Sequence, residues 1–168
     1  MIVLLKTLLI FILILCLLPI QIILISINSK KRFTLPKIFH KSLLKILGVN
    51  LIVRGKPAES SPLILVGNHM SYLDIIILGS IHPICFIAKE EISSWFLFGF
   101  LAKLQNSIFI NRRNIKALES IKEIVKNIDE RFAIVLFPEG TTGNGKKILA
   151  FRTSLFSIFE KGSILTLQ

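Results

Sequence analysis

A histidine and an aspartate stand close together in the segment NHMSYLD at positions 68–74. An imidazole can accept the proton of an alcohol near neutral pH, and a carboxylate on its far nitrogen fixes the ring tautomer and stabilises the imidazolium. This arrangement suits a general base, His69, with Asp74 as its orienting partner. The same segment also fits a helix start in which Ser71 is the N-cap and Asp74 lies three residues on, so both interpretations remain open.

Two consecutive arginines follow an apolar run at positions 107–110. Arg112 and Arg113 offer planar guanidinium groups whose paired N–H donors suit a phosphate. A solvated basic pair at the start of a helix would look the same in sequence. A phosphate contact and a solvated pair are therefore the two interpretations of these residues.

A third polar group, FPEGTT at positions 137–142, ends another apolar run. Glu139 provides a carboxylate, Gly140 allows the backbone to approach a ligand closely, and Thr141 adds a hydroxyl and an amide that could bind an anion. The alternative is that these residues simply form a good turn.

Other candidate nucleophiles and bases are less convincing. The sequence has no G-x-S-x-G motif, and Cys85 lies in an apolar, core-like run. A covalent intermediate on the enzyme is therefore disfavoured, and direct transfer to an acceptor hydroxyl fits better. His40 and His82 have no such group of polar residues beside them in the sequence, and we predict that they are surface or packing residues.

The elements after Gly48 must position these groups, and there short β-rich runs alternate with helical ones. This alternation predicts an α/β domain with a largely parallel mixed sheet flanked by helices. We predict strands at 51–54, 63–67, 85–88, 107–110, 132–137 and 164–167. We predict helices near 73–81, 93–104, 115–129 and 153–160. Parallel strands end at one edge of a sheet, where such sheets bind ligands, so the three polar groups should converge there.

The first 27 residues form an apolar run in which Lys6 is the only charged side chain. About 20 apolar residues suffice to cross a bilayer, and Pro19 should kink the run or break it into a helix pair. A cleaved signal peptide would have a shorter apolar region that ends in small residues. We therefore predict a retained membrane anchor, with a removed signal or a buried core helix as the alternatives. A hydrophobic content of 52% and a mean hydropathy of +0.71 exclude an ordinary soluble domain.

Positive charge dominates the chain, with 21 Lys and Arg residues against 10 Asp and Glu residues, which favours anionic partners. Lys30, Lys31 and Arg32 directly follow the anchor, so the positive-inside rule places the rest of the chain on the cytoplasmic side. Residues 35–47 form a basic amphipathic helix with Gly48 as its stop. This helix either lies on anionic head groups or packs on its own domain with a solvated lysine face. Nucleic acid is disfavoured because no recognised module is present.

In order, the blocks NHMSYLD, FINR and FPEGTT resemble the motifs of the glycerolipid acyltransferase family, and most of all those of its lysophosphatidate-acylating members. The resemblance covers residues 67–156. It implies that His69 is the general base and Asp74 its partner. It also implies a set of substrate-binding residues, in which Arg112 contacts the substrate phosphate: Asn68, Arg112, Glu139, Gly140, Thr141 and Arg152.

The resemblance also implies a reaction. A fatty acyl group would move from acyl-CoA or acyl-carrier protein, as co-substrate, to the free hydroxyl of lysophosphatidate (1-acyl-glycerol-3-phosphate), giving phosphatidate in phospholipid biosynthesis. No bound cofactor and no metal are implied. The expected location is a bacterial inner membrane, with membrane lipids as partners, the catalytic domain facing the cytoplasm, and no nucleic acid. Acylation of another glycerolipid acceptor and a catalytically inactive lipid-binding protein are the alternatives.

Some positions depart from the family pattern. Asn106 and Asn111 stand where the family usually has a glycine and often an aspartate, and Thr142 replaces a common arginine. The family would continue past Gln168 into a proline-containing fourth block. We therefore expect three segments, of which the last is C-terminally incomplete: a membrane anchor at 1–27, a basic amphipathic segment at 28–48 and an acyltransferase α/β domain at 49–168.

Overall fold

The computed structural model describes residues 1–55, 63–111, 133–153, 156 and 164–166. The predicted helix at 115–129 and most of the one at 153–160 lie outside the described residues. The chain divides into two units. The helical unit comprises Met1–Gly55 and Leu73–Pro83, and the sheet unit comprises Lys56–Tyr72 and Ile84–Gln168.

The helical unit begins with α1, which is apolar on all sides and leaves most of its side chains exposed. Within the described residues, α1 alone is long and apolar enough to cross a membrane. It continues through Pro19 as one helix, so of the two predicted alternatives, a kink or a break into a helix pair, the break does not occur. Proline removes one N–H from the helix, and the apolar helix formers on both sides keep the remaining backbone bonds. The helices of this unit are α1 (Ile2–Ser26), a 3₁₀ helix (Lys30–Phe33), α2 (Leu35–Leu47) and α3 (Leu73–Ile81).

Two side chains of α1 tie it to the chain that follows. Lys6 Nζ donates to the carbonyl of Leu47 (2.8 Å), and Gln21 Nε2 donates to the carbonyl of Arg32 (2.9 Å). Because Lys6 lies near the start of α1 and Leu47 ends α2, the two helices run antiparallel. The predicted amphipathic helix at 35–47 is confirmed, as is its stop at Gly48, whose φ of +80° is left-handed.

Helix α2 packs on α3 through a close contact between His40 and Gly79. The imidazole lies directly over Gly79, where a β-carbon would collide with the ring. Burial lowers the pKa of His40 to about 4, so the ring is neutral at physiological pH and packs without a counter-ion. The prediction that His40 is a packing residue is confirmed.

We expect Gly79→Ala to lower the free energy of unfolding by about 1 to 3 kcal/mol, because the added methyl group overpacks the interface at the His40 ring. Thermal or denaturant unfolding in detergent measures this change. In a His40→Ala background the substitution should cost much less, since the colliding ring is gone. Equal costs in the two backgrounds would contradict the contact.

The sheet unit is built on five described strands, and every described strand pair is parallel. The α/β class with a parallel sheet is therefore confirmed. All side chains of β1 and β4 are buried, as expected for strands inside a parallel sheet. In the order in which they pair, the strands are β3 (Ile108–Ile110), β2 (Ile84–Lys89), β4 (Ala133–Leu136), β1 (Leu63–Val66) and β5 (Ile164–Thr166).

Two predicted elements differ from the structure. Residues 51–54 form no strand, because no described strand pairs with them, and Ile52 and Val53 are exposed. The predicted helix at 93–104 is interrupted: a 3₁₀ helix covers Glu90–Ser94, and α4 covers Phe98–Leu104. Ser94 Oγ donates to the carbonyl of Glu91 (2.7 Å), a local bond of the kind that competes with helix continuation.

Candidate active site

The strands β1 and β4 bring two of the three polar groups together. They are neighbours, and Val66 pairs with Leu136 at their carboxyl ends. The pairing extends one residue further, since the N–H of Gly67 donates to the carbonyl of Leu136 (3.3 Å). Asn68 and His69 therefore leave the sheet beside the chain that begins at Phe137, as the parallel arrangement predicted.

The backbone of His69 is held on both sides by the segment that follows β4. Its N–H donates to Oε2 of Glu139 (3.2 Å), and its carbonyl accepts from the N–H of Gly143 (2.6 Å). The loop after β1, which carries His69, is thus held by Glu139 and Gly143, residues far away in the sequence. The structure brings together His69 and Glu139, two of the residues that the sequence singled out.

The imidazole of His69 lies flat against the ring of Phe137. The ring centroids are 4.2 Å apart, with an angle of 12° between the planes. Phe137 is buried and stacks in turn on Phe86 of β2, with centroids 6.1 Å apart. His69 itself is half-buried, and the stacking on Phe137 fixes the plane of its imidazole. An imidazole held in this way suits the role of a general base.

The turn after β4 begins with three buried residues, Pro138, Glu139 and Gly140, and exposed residues follow from Thr141. The N–H of Gly140 donates to the carbonyl of Phe137 (3.1 Å), and Gly140 has a φ of +73°, which favours glycine at this position. Gly140 therefore belongs to the buried start of the turn, and Thr141 is its first exposed residue.

Arg152 reaches the same region through its backbone. Its N–H donates to the carbonyl of Pro138 (2.9 Å), and the N–H of Leu149 donates to Oε1 of Glu139 (3.0 Å). The side chain of Arg152 is exposed. The segment that carries Arg152 is therefore hydrogen-bonded to the turn after β4.

The remaining predicted residues lie elsewhere or outside the described residues. Asp74 lies in the first turn of α3, in the helical unit, and its pairing with His69 stays a prediction. Asn111 follows β3 and is exposed, whereas Arg112 and Arg113 lie outside the described residues. Strand β3 leaves the same edge as β4, but β2 lies between them, so the two strands are about 10 Å apart.

Two structural contacts near the sheet were not predicted from the sequence. The thiol of Cys85 donates to the carbonyl of Asn106 (2.9 Å), and burial raises the pKa of Cys85 to about 12. Such a thiol is not a nucleophile at neutral pH, which agrees with the disfavoured covalent route. Asn106 has a φ of +59°, which explains why this position suits asparagine or glycine. The stacking of Phe137 was also missed, although the residue lies inside FPEGTT.

Comparisons with known proteins identify the family of this chain. Residues 48–166 match the family model described as Acyltransferase. The chain is 37% identical over 143 residues to a lyso-ornithine lipid O-acyltransferase of Rhizobium meliloti, covering 84% of this chain and 49% of that protein. It is 34% identical over 119 residues to a 1-acyl-sn-glycerol-3-phosphate acyltransferase of Neisseria gonorrhoeae, covering 69% of this chain and 46% of that protein.

A solved structure is also similar. The 1-acyl-sn-glycerophosphate (LPA) acyltransferase PlsC from Thermotoga maritima superposes with a TM-score of 0.61 at 27% identity. The match covers 75% of this chain and 52% of that chain. The chain spans about half the length of the curated relatives it matches.

Proposed function

This chain belongs to the acyltransferase family, and we propose that it transfers a fatty acyl group to the free hydroxyl of 1-acyl-glycerol-3-phosphate, giving phosphatidate. The donor is a thioester, acyl-CoA or acyl-carrier protein. The observation that carries this proposal is the placement of His69, a half-buried residue whose imidazole stacks on Phe137 and whose backbone is held by Glu139 and Gly143.

The reaction needs one base and no covalent intermediate on the enzyme. The imidazole of His69 takes the proton of the acceptor hydroxyl while that oxygen bonds to the thioester carbonyl carbon. The tetrahedral intermediate then expels the donor thiolate, which receives the proton from the imidazolium, so the base is regenerated. Asp74 accepts a hydrogen bond from the far ring nitrogen and stabilises the transient imidazolium.

Substrate binding falls to the other residues that the sequence singled out. The guanidinium groups of Arg112 and Arg152 offer paired donors to the phosphate of the acceptor. Asn68, Gly140 and Thr141 lie in the loops that leave β1 and β4, where they contact the glycerol backbone or the thioester.

The helical unit supports a membrane location. Apolar side chains are exposed along the whole of α1, and hydrocarbon solvates such a surface better than water does. Lys30, Lys31 and Arg32 directly follow this helix and suit anionic head groups. We place the enzyme at a bacterial inner membrane with its catalytic residues on the cytoplasmic side.

A second acceptor is favoured by a specific observation. The relative from Rhizobium meliloti, which acts on a lyso-ornithine lipid by its name, matches a larger share of this chain than the relative from Neisseria gonorrhoeae does. An ornithine head group carries an amine and a carboxylate in place of a phosphate. Lysophosphatidate and a lyso-ornithine lipid therefore require binding residues of different charge near His69.

Acyl transfer by the purified protein in detergent tests both candidates. Labelled acyl-CoA or acyl-carrier protein is incubated with lysophosphatidate, lyso-ornithine lipid, glycerol 3-phosphate or no acceptor, and the products are identified by mass spectrometry. Phosphatidate as the main product supports the proposal, and an acylated ornithine lipid supports the second candidate. Binding to anionic vesicles without any product would favour an inactive lipid-binding protein.

We expect Arg112→Lys to raise the apparent KM for lysophosphatidate roughly tenfold and to change the KM for the acyl donor much less, because lysine keeps the charge but loses the paired donors. Initial rates at varied concentrations of each substrate measure both constants. Arg54→Lys, at an exposed arginine of the helical unit, is the matched control. Unchanged constants in both Arg112→Lys and Arg112→Ala would identify the arginine as a solvated residue and direct attention to Arg113 or Arg152.

A further inference from the structure

The side chain of Glu139 is only 6% exposed, although a carboxylate ordinarily prefers water. Each of its two oxygens accepts a backbone N–H: Oε2 from His69 (3.2 Å) and Oε1 from Leu149 (3.0 Å). The two donors belong to different chain segments. One carboxylate therefore joins the loop after β1 to a segment that follows the turn after β4.

The opposite side of the His69 peptide is also fixed. Its carbonyl accepts from the N–H of Gly143 (2.6 Å). A β-carbon at Gly143 would lie 3.5 Å from that carbonyl oxygen and 3.8 Å from Oε2 of Glu139, so the backbones approach closely here. Residues 139–143 thus hold both the N–H and the C=O of His69.

We propose that Glu139 is a positioning residue, whose buried carboxylate holds the backbone of His69 and thereby the imidazole, and not a ligand of the substrate. This role rests on the proposed function, because it matters for turnover only if His69 is the base. It replaces the substrate-binding role that the sequence resemblance implied for Glu139.

Burial and bonding both favour this role. Hydrogen bonds to an ionised group are about twice as strong as neutral ones, and both oxygens are used within the protein while little of the side chain faces solvent. The stack of His69 on Phe137 adds a second constraint from the same chain segment. A displacement of about 1 Å in a catalytic group can cost 10²-fold in rate. Loss of the carboxylate should therefore act on turnover and not on substrate affinity.

Glu139→Gln tests this role with little change in shape. The amide supplies one acceptor oxygen and one NH₂ donor, so it cannot accept from both N–H groups. We expect kcat to fall by about 10- to 100-fold, with the KM for acceptor and donor within about twofold of wild type. Glu91→Gln, at an exposed glutamate of the 3₁₀ helix, makes the same chemical change as a control and should leave both constants unchanged. A raised acceptor KM with unchanged kcat would overturn the proposal in favour of a substrate ligand.

A spectroscopic measurement follows the imidazole without requiring activity. Because the ring of Phe137 lies 4.2 Å from that of His69, its ring current should shift the carbon-bound ring protons of His69 upfield in histidine-labelled protein. The chain has only three histidines, so His69→Gln assigns the signal. In Glu139→Gln the signal should broaden or move downfield as the stack loosens, while the signals of His40 and His82 stay in place.

An unchanged His69 signal in folded Glu139→Gln would overturn the proposal. Should this variant fail to fold, Glu139→Asp keeps the carboxylate but is too short to reach both N–H groups, and it should move the signal in the same direction. An unmoved signal in Glu139→Asp would again overturn the proposal. If wild-type protein acylates no acceptor, the proposed function fails, yet the spectrum still shows whether Glu139 holds His69.

Discussion

Replacing His69 by alanine is expected to lower kcat by about 10² to 10⁴ while leaving the folded protein intact, because the variant loses the group that we propose as the acceptor of the substrate proton. His69 is only half-buried, and the hydrogen bonds of its backbone do not depend on the side chain. Steady-state rates with saturating acceptor and donor measure the loss. Thermal unfolding in detergent tests whether the protein remains folded.

His82→Ala is the matched control for this substitution. His82 lies just after α3, and its Nδ1 is 2.9 Å from the carbonyl of Pro83, a purely local contact. We expect its removal to leave kcat within about twofold of wild type, in the range of a residue that takes no part in chemistry. A His69→Ala variant that retains most of its activity would end the proposed mechanism.

Replacing Asp74 by asparagine is expected to lower kcat by about 10² to 10⁴ at unchanged thermal stability, because the amide cannot stabilise the imidazolium or enforce the same tautomer. Asparagine retains the hydrogen-bonding capacity that a capping residue needs at the start of a helix. Asp74 lies in the first turn of α3, so capping is a real alternative. Turnover and melting temperature, measured on the same preparation, separate the two roles.

Ser71→Ala removes a candidate helix cap while keeping the charge of Asp74. If Ser71 caps α3, its removal should cost roughly 1 kcal/mol of stability with little effect on turnover. A loss of stability alone in Asp74→Asn would reduce Asp74 to part of the cap. The proposed pairing of Asp74 with His69 would then have no support from kinetics.

The sequence predicted those parts of the fold that depend on local pattern. The stripe of lysines at 35–47 and the glycine at 48 give α2 its observed bounds, and the apolar run at 73–81 gives those of α3. Residues 51–54 have an equally suitable pattern for a strand but remain unpaired among the described strands. A strand requires a neighbour as well as a pattern, and the neighbour is chosen by the whole sheet.

The same distinction applies to the site. That His69 and Glu139 meet could be predicted, since both follow apolar strands and parallel strands end at one edge. The strand order could not be predicted. It places β2 between β4 and β3, and β3 is the strand that Arg112 and Arg113 follow in the sequence. The use of both carboxylate oxygens by backbone N–H groups was also unpredictable, because such bonds depend on the exact path of each loop.

The strand pairing also constrains when the base becomes competent during synthesis. His69 and the carboxylate that holds it are separated by 70 residues in the chain, and β1 finds its neighbour β4 only after the chain has been made through residue 136. By contrast, α1 and α2 lie next to each other in sequence and can associate early. Contacts between distant segments form slowly because a long loop must close first. Under the proposed function, a nascent chain would reach the membrane through its first helices well before it holds a positioned imidazole. The proposed base would then be assembled only once the chain is already beside its lipid substrate.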